Sequence, residues 1–229
     1  MSTMTDASHK LIQPKPYDPE YCIDLHVHTN RYSPCAESLD PAMIHRQMTA
    51  TRIQGVVITE HDRLWSRSEI HKLNKNLVNR RIYRGVEITS INGHFIVIGL
   101  ENLEGIKPGI SIFELLNVTR QKNAAVILAH HHLNYSQTSA PIDMKRAPKD
   151  IDAIEVASTA TTGENCFEAE KIAGIHGWAK VAGSDAHTLE KVGSYCTGFR
   201  QLPDTELELA AMIKAGLCIP HNDHRRYHG

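Results

Sequence analysis

Two histidines, His26 and His28, sit two residues apart in the stretch 21–29, which reads Tyr-Cys-Ile-Asp-Leu-His-Val-His-Thr. Ile23, Leu25 and Val27 alternate there with Asp24, His26 and His28, which is the period of a half-buried strand. One face is aliphatic and the other carries a carboxylate and two imidazoles. Imidazoles at i and i+2 point the same way, about 7 Å apart along a strand. Both can reach one metal ion, with Asp24 behind them to orient them. A His-x-His pair alone is weak evidence. It gains weight from acids and imidazoles further on: His61 after the apolar run 55–59, Glu87 in Gly-Val-Glu-Ile, His130 at the head of three consecutive histidines, and Asp185 and His187 in Gly-Ser-Asp-Ala-His. Neutral imidazoles bind a divalent cation without cancelling its charge. Mixed nitrogen and oxygen donors suit Zn, Mn or Fe rather than Mg or Ca.

The elements that must position these residues can be read from pattern and punctuation. Asp40-Pro41 opens a helix to about residue 53, with Asp as cap and Pro at the first helical position. The run 55–59 is apolar throughout, as in a parallel strand buried on both faces. Ser66-x-x-Glu69 and Ser111-x-x-Glu114 are capping boxes for two further helices. Strands are expected over 81–88 and 94–100, joined across Asn92-Gly93 as a hairpin, and over 125–130, 151–156 and 181–183. Thr161-x-x-Glu164 predicts a helix to about 175, and Asp204 caps a last one that stops before Gly216. Strands alternating with helices imply parallel strands joined by crossover helices. The ligand candidates fall at strand C-terminal ends, the edge where α/β folds build their sites. The expectation is one domain over 21–222, preceded by a flexible arm, 1–20, and followed by a flexible tail, 223–229.

Composition narrows the function classes. The chain has 229 residues, 41% of them hydrophobic, enough for one α/β domain with a sizeable core. A formal net charge of -1 supplies no global field for nucleic acid or an anionic membrane. The 15 histidines are the outlier. The five cysteines contain no Cys-x-x-Cys and are odd in number, which with the absence of a signal peptide or long apolar run predicts a reduced, cytoplasmic protein.

In order along the chain, Asp24-Leu25-His26-Val27-His28-Thr29, Thr59-Glu60-His61-Asp62, Gly85-Val86-Glu87-Ile88, Ala129-His130 and Gly183-Ser184-Asp185-Ala186-His187 resemble the PHP (polymerase and histidinol phosphatase) family of metal-dependent phosphoesterases. The match spans roughly 21–222. The resemblance implies a distorted (β/α)7 barrel, α/β in class, with two or three divalent metals at its C-terminal mouth. By that resemblance His26, His28, Glu87 and Asp185 hold the first metal. Glu87 bridges to a second, bound also by His130 and His94, and His61 and His187 hold a third. Two departures bear on this. Pro34 stands where the family has a donor in the turn after the first motif, so Cys35 would have to substitute or the third site is lost. Glu60 replaces the usual Asp of the second motif, a mild change.

Such a cluster suits in-line hydrolysis of a phosphate ester. Two cations about 3.5–4 Å apart activate a water and bind both ends of the displacement, and a bridging carboxylate, here Glu87, sets their spacing. Arg31 and Arg63 directly follow ligand motifs and either clamp phosphate oxygens or stay in solvent. Without a third metal, Arg63 or an unliganded His187 would neutralise charge or protonate the leaving group. Strand alternation turns His132 towards the pocket with His130 and His131 away from it. Glu155 interrupts an apolar run, as a buried contact to the site or substrate or as an ion-paired edge residue. The resulting expectation is a phosphomonoesterase acting on a small phosphorylated molecule or nucleotide. A 3'-5' exonuclease or other phosphodiesterase on nucleic acid is the second reading, and a catalytically weak domain serving as an interaction module the third.

Overall fold

The computed structural model describes residues 18–133, 139–144 and 146–221. Most of the expected arm and all of the expected tail lie outside them. The described chain forms nine strands in one mixed sheet of order β7-β6-β5-β4-β3-β2-β1-β8-β9. These are β1 (Tyr21–Val27), β2 (Gly55–Ile58), β3 (Arg81–Ser90), β4 (Gly93–Ile98), β5 (Ala125–Leu128), β6 (Ala153–Ala157), β7 (Ala179–Ala182), β8 (Cys196–Phe199) and β9 (Ile219–His221). The helices are α1 (Ile44–Ala50), α2 (Arg67–Asn74), α3 (Ile112–Gln121), α4 (Glu164–His176) and α5 (Glu206–Lys214).

β1, β2 and β3 run parallel, as do β5, β6 and β7, each reached by a crossover. The Asn92-Gly93 turn makes β4 an antiparallel insert between the two parallel sets. The sheet curls until its ends nearly meet as a barrel. His28 N–H donates to Ala186 O at 2.9 Å, and Ala186 N–H to His26 O at 3.2 Å. Thr197 Oγ1 donates to Ala182 O at 2.7 Å and accepts from Ala182 N–H at 2.9 Å, tying β7 to β8. Gly183 allows this closure. A Cβ there would stand 2.7 Å from His26 Cβ and 2.9 Å from His26 N.

The core lies in three layers. Ile23, Leu25, Val57, Tyr83, Ile96, Ile127, Ala153, Val181 and Phe199 meet inside the barrel, drawn from eight strands. Leu209 and Ile213 of α5 join them, each contributing about 1.5–3 kcal/mol by leaving water. Outside, α1 and α2 cover β1–β3, while α3 and α4 cover β3–β6.

Local chemistry behaves largely as its residue types dictate. Both capping boxes form, Ser66 with Glu69 and Ser111 with Glu114, and the Asp40 side chain accepts from Ala42 N–H. Two expectations are corrected, and two strands that the pattern did not show are added. α4 starts at Glu164 behind Gly163, which has φ 59° and offers no side-chain cap. Thr161 instead sits in a tight turn in which Ser158 Oγ accepts its N–H at 2.9 Å. The cap of α5 is Thr205, one residue beyond Asp204. Finally, β8 and β9 carry short stretches with no clear alternation, and they run antiparallel to their neighbours.

Gly183→Ala should destabilise the protein by about 1–3 kcal/mol, the usual cost of overpacking, because the clash is with backbone and Cβ atoms that cannot swing aside. Urea unfolding of the variant beside the parent checks this, and an unchanged midpoint would remove the closure argument.

Candidate metal centre

β1 does not alternate cleanly. Ile23 and Leu25 join the inner core, but Val27 packs with Cys22 against α1 and α2. Strict alternation would put residues 22 and 27 on opposite faces. The pairing with β2 shifts register between Asp24 and Val27, as at a bulge, which re-aims the side chains beyond it. The expectation of one aliphatic face with Asp24 backing the imidazoles is therefore corrected. Beyond the bulge His26 and His28 turn to each other, with Nε2 atoms 3.1 Å apart.

Four donor atoms converge there. His26 Nε2 lies 3.4 Å from Asp185 Oδ1 and 3.5 Å from Glu87 Oε2. His28 Nε2 lies 3.4 Å and 3.2 Å from the same two oxygens. His26, His28 and Asp185 form one candidate ligand group, and separations of 3.1–3.4 Å among their donor atoms suit three ligands on one zinc-sized cation. The other Glu87 oxygen, Oε1, faces a second pair: His94 Nδ1 at 2.9 Å and His130 Nε2 at 3.0 Å. One buried carboxylate is thus shared by two candidate ligand groups, one with His26 and His130 and one with His61 and His94. The donors fit a divalent transition metal, and so does Glu87 Oε2, which is buried without a hydrogen-bond donor.

His61 Nδ1 stands 3.0 Å from Glu87 Oε2. The His28 ring stacks between those of His61 and His187, with centroids 4.5 Å apart on each. These three imidazoles form a further group able to hold a cation. Cys35 belongs to none of the four candidate ligand groups among the described residues. The third group is three histidines, one of them shared with the first.

Buried polar groups fix these ligands. Asp24 accepts Ser184 N–H at 2.8 Å, Ser184 Oγ–H at 2.6 Å and Gly193 N–H at 2.8 Å. It therefore anchors the turn that carries Asp185 and leaves the rings alone. Ring orientation falls to Glu155, which is 1% exposed. It lies 3.2 Å from His26 Nδ1 and accepts His130 N–H at 3.3 Å. Glu60, fully buried, accepts from Thr29, from Ser33 Oγ and from Trp65 Nε1, pinning the loop after β1 to the end of β2. Sequence alone shows Glu60 only as a mild replacement for Asp, because most of these partners lie far from it along the chain. Asp62, His130 and Asp185 all have positive φ, 51°, 22° and 52°. Strained non-glycine backbone at three strand ends around one cluster is the pattern of a functional site.

Other expected residues stay outside the cluster. Arg31 and Arg63 hold their guanidinium carbons 5.3 Å and 4.8 Å from the Tyr32 ring centroid. Arg31 also pairs with Glu69 at 3.7 Å. Strand alternation does not govern His131 and His132. β5 ends at Leu128, and residues 130–133 form a turn closed by Leu133 N–H to His130 O at 3.0 Å. The His131 ring is buried against that of His132, with centroids 5.5 Å apart, and neither ring belongs to a ligand group.

Electrostatics tie the set together. Burial alone would push the His26 imidazole down, but Asp185, Glu87 and Glu155 carry it well above its ordinary value. Burial would likewise raise Glu87, yet His26 and its neighbours hold it well below the usual carboxylate range. Asp185 is lowered in the same way, against burial, chiefly by His26. His187 moves down through burial and the nearby His28. Protons on the imidazoles and divalent cations between them are thus alternative ways to balance the same buried acids.

Residues 163–218 match the family model described as PHP-associated. No curated protein matches the chain. Among solved structures, similarity extends to a two-domain protein from Bacteroides vulgatus that contains a PHP-like metal-dependent phosphoesterase assigned by prediction. The TM-score is 0.62 at 15% identity, over 90% of this chain and 67% of that one. A protein from Bifidobacterium adolescentis, named as a metal-dependent phosphoesterase on the same footing, gives 0.58 at 16% identity over 86% and 98%. A lesion-specific endonuclease from Pyrococcus furiosus gives 0.59 at 14% identity over 85% and 56%. These structures share the barrel fold.

Binding of Mn or Zn should release protons, because His26 gives up a proton when a cation replaces it. The affinity should therefore fall as the pH is lowered. Calorimetric titration in buffers of different ionisation enthalpy measures the release. His28→Ala and Asp185→Ala should each abolish the tightest binding event. Wild-type affinity in either would remove the site formed by His26, His28 and Asp185.

Proposed function

We propose that this PHP-type protein is a metal-dependent phosphoesterase that hydrolyses a phosphomonoester of a small molecule or nucleotide. One observation carries the reading: buried Glu87 is shared by two candidate ligand groups, which would let it hold two cations side by side as in-line displacement at phosphorus can use them. His26, His28, Asp185 and Glu87 would hold one cation, and Glu87, His94 and His130 a second, with His61 and His187 available for a third. Zn, Mn and Fe all suit these donors. When bound, the cations supply Lewis acidity to the phosphate and lower the pKa of the attacking water.

The chain's own residues orient and discriminate. Glu155 fixes the His26 ring, and Asp24 holds the turn bearing Asp185. His187 is one-third exposed and its Nδ1 donates to Asp185 O at 3.0 Å. Its Nε2 is then left for a cation or for the leaving-group oxygen. Arg63, beside Tyr32, supplies a guanidinium for a phosphate oxygen, with Arg31 next to it. His132 is assigned to the rest of the substrate.

A second reading, phosphodiester cleavage in nucleic acid, is favoured by the fold shared with the lesion-specific endonuclease. Purified protein with added Mn or Zn should be assayed on p-nitrophenyl phosphate, on bis(p-nitrophenyl) phosphate and on a duplex oligonucleotide with an abasic lesion. Faster turnover of the monoester is expected, and Arg63→Ala should lower kcat/KM about tenfold through loss of one charge-assisted contact. Cleavage confined to the diester or the oligonucleotide would transfer the assignment to a nuclease. Inertness on all three with metal bound would leave an interaction module.

A further inference from the structure

A cluster of basic side chains lies away from the metal centre, on the outer wall of the barrel. α2, the segment that follows it and the start of β3 surround a groove of about 810 Å³. Arg67, Lys72, Lys75, Arg80, Arg81 and Arg84 line it over an apolar floor that includes Ile70 and Leu77. Arg81 lies six residues before Glu87 on β3, so the groove's far end is about 20 Å from the cluster.

Three of the six cations are already balanced. Arg67 pairs with Glu101, Arg81 with Asp204, and Arg84 with Glu206 at 3.5 Å. Lys72, Lys75 and Arg80 form no ion pair among the described residues, and Arg80 Nε only donates to Ile53 O at 3.3 Å. Among the balanced cations, Arg84 is the least well satisfied. Its side chain is 4% exposed. The two Nη atoms donate to Trp65 O and Leu100 O, but the buried Nε makes no hydrogen bond. That Nε faces Glu206 Oε1 at 3.5 Å without hydrogen-bond geometry, so a better-placed acceptor in the groove would strengthen the pairing of a buried cation.

From these features we propose that the groove is a second ligand site, distinct from the metal centre, for a small anion carrying two or more phosphates. The charge sets the number: three unpaired cations exceed what one orthophosphate dianion can offset. The volume is that of a small-molecule site. The rim argues against a polymer. On the side towards Arg63 the adjoining depression is lined by Glu69 and Glu101, and Glu206 and Asp204 flank the other edge. A nucleic-acid strand would have to pass those carboxylates, whereas a compact polyphosphate stays among the cations.

The test is calorimetric titration of the full-length protein with methylenediphosphonate, which has no P–O–P bond to hydrolyse, beside inorganic phosphate and oligothymidylate. His28→Ala, titrated in parallel, removes the contribution of the metal centre. Diphosphonate should bind His28→Ala as well as it binds the parent, and about tenfold or more tighter than phosphate. The doubly charge-reversed Lys72→Glu/Lys75→Glu should lose that binding at least about tenfold yet turn over p-nitrophenyl phosphate at the parental rate. Failure of diphosphonate to bind, binding equal to that of phosphate, or binding unaffected by the two lysine changes would each overturn the site. Tighter binding of oligothymidylate through the same lysines would overturn the small-ligand assignment in favour of a strand. None of these binding outcomes depends on phosphoesterase activity at the metal centre.

Discussion

A carboxylate with no exposure, Glu87, stands among five imidazoles, and the rest of the architecture is constrained by that fact. A buried anion costs several kcal/mol unless positive charge surrounds it. Here the charge comes from protonated histidines or from cations, and the second is the cheaper solution at neutral pH, because imidazoles need not hold protons to serve as ligands. The strands must therefore end so that residues 26, 28, 61, 94, 130 and 185 reach one carboxylate or the cations it binds. That requirement explains a bulge in β1, a glycine at 183 and three strained residues at the strand ends.

Each of these deviations does a separate geometric task. The bulge turns His26 and His28 inward while freeing Asp24 to bind the Ser184 and Gly193 amides. Gly183 lets β7 approach β1 closely enough for Ala186 to bridge the seam. The positive φ at Asp185 then points its carboxylate back over His28. Burial pushes the Asp24 carboxyl up to about 6, against the pull of its hydrogen bonds, which favour the charged form. That pull comes first from the Ser184 hydroxyl and then from the Ser184, Gly193 and His26 N–H groups, which can only donate, so the anchor holds best as an anion. A raised value means that ionising Asp24 costs stability as the pH climbs through it, a cost that the surrounding donors are placed to limit.

The ligand set was legible in the sequence because acids and imidazoles at strand ends break an apolar pattern. The capping boxes and the Asn92-Gly93 hairpin were legible because each has its own local chemistry. What could not be read depends on partners distant along the chain. Glu60 is unremarkable until Thr29, Ser33 and Trp65 gather on it. The bulge at β1 is invisible because Leu25 and Val27 are both apolar, whichever core they enter. The triple-histidine run misled because period two was extended past the end of β5 at Leu128. β8 and β9 escaped notice because three- and four-residue strands at the seam carry too few alternations to show a period.

Net charge is a global quantity. A value near zero describes the whole surface, but a ligand meets a patch. On the outer wall the basic side chains of α2 and early β3 gather in one concavity, and the offsetting carboxylates form its rim. At the barrel mouth the order is reversed, with acids and imidazoles at the centre and Arg31 and Arg63 outside them. In the proposed function the mouth gathers cations first and phosphate through them. The outer groove meets phosphate with guanidinium and ammonium groups directly. Two solutions to the same anion, one dependent on metal and one independent of it, therefore share a single strand. Their far ends, Arg81 and Glu87, lie about 20 Å apart on β3, and the buried Arg84 guanidinium stands between them.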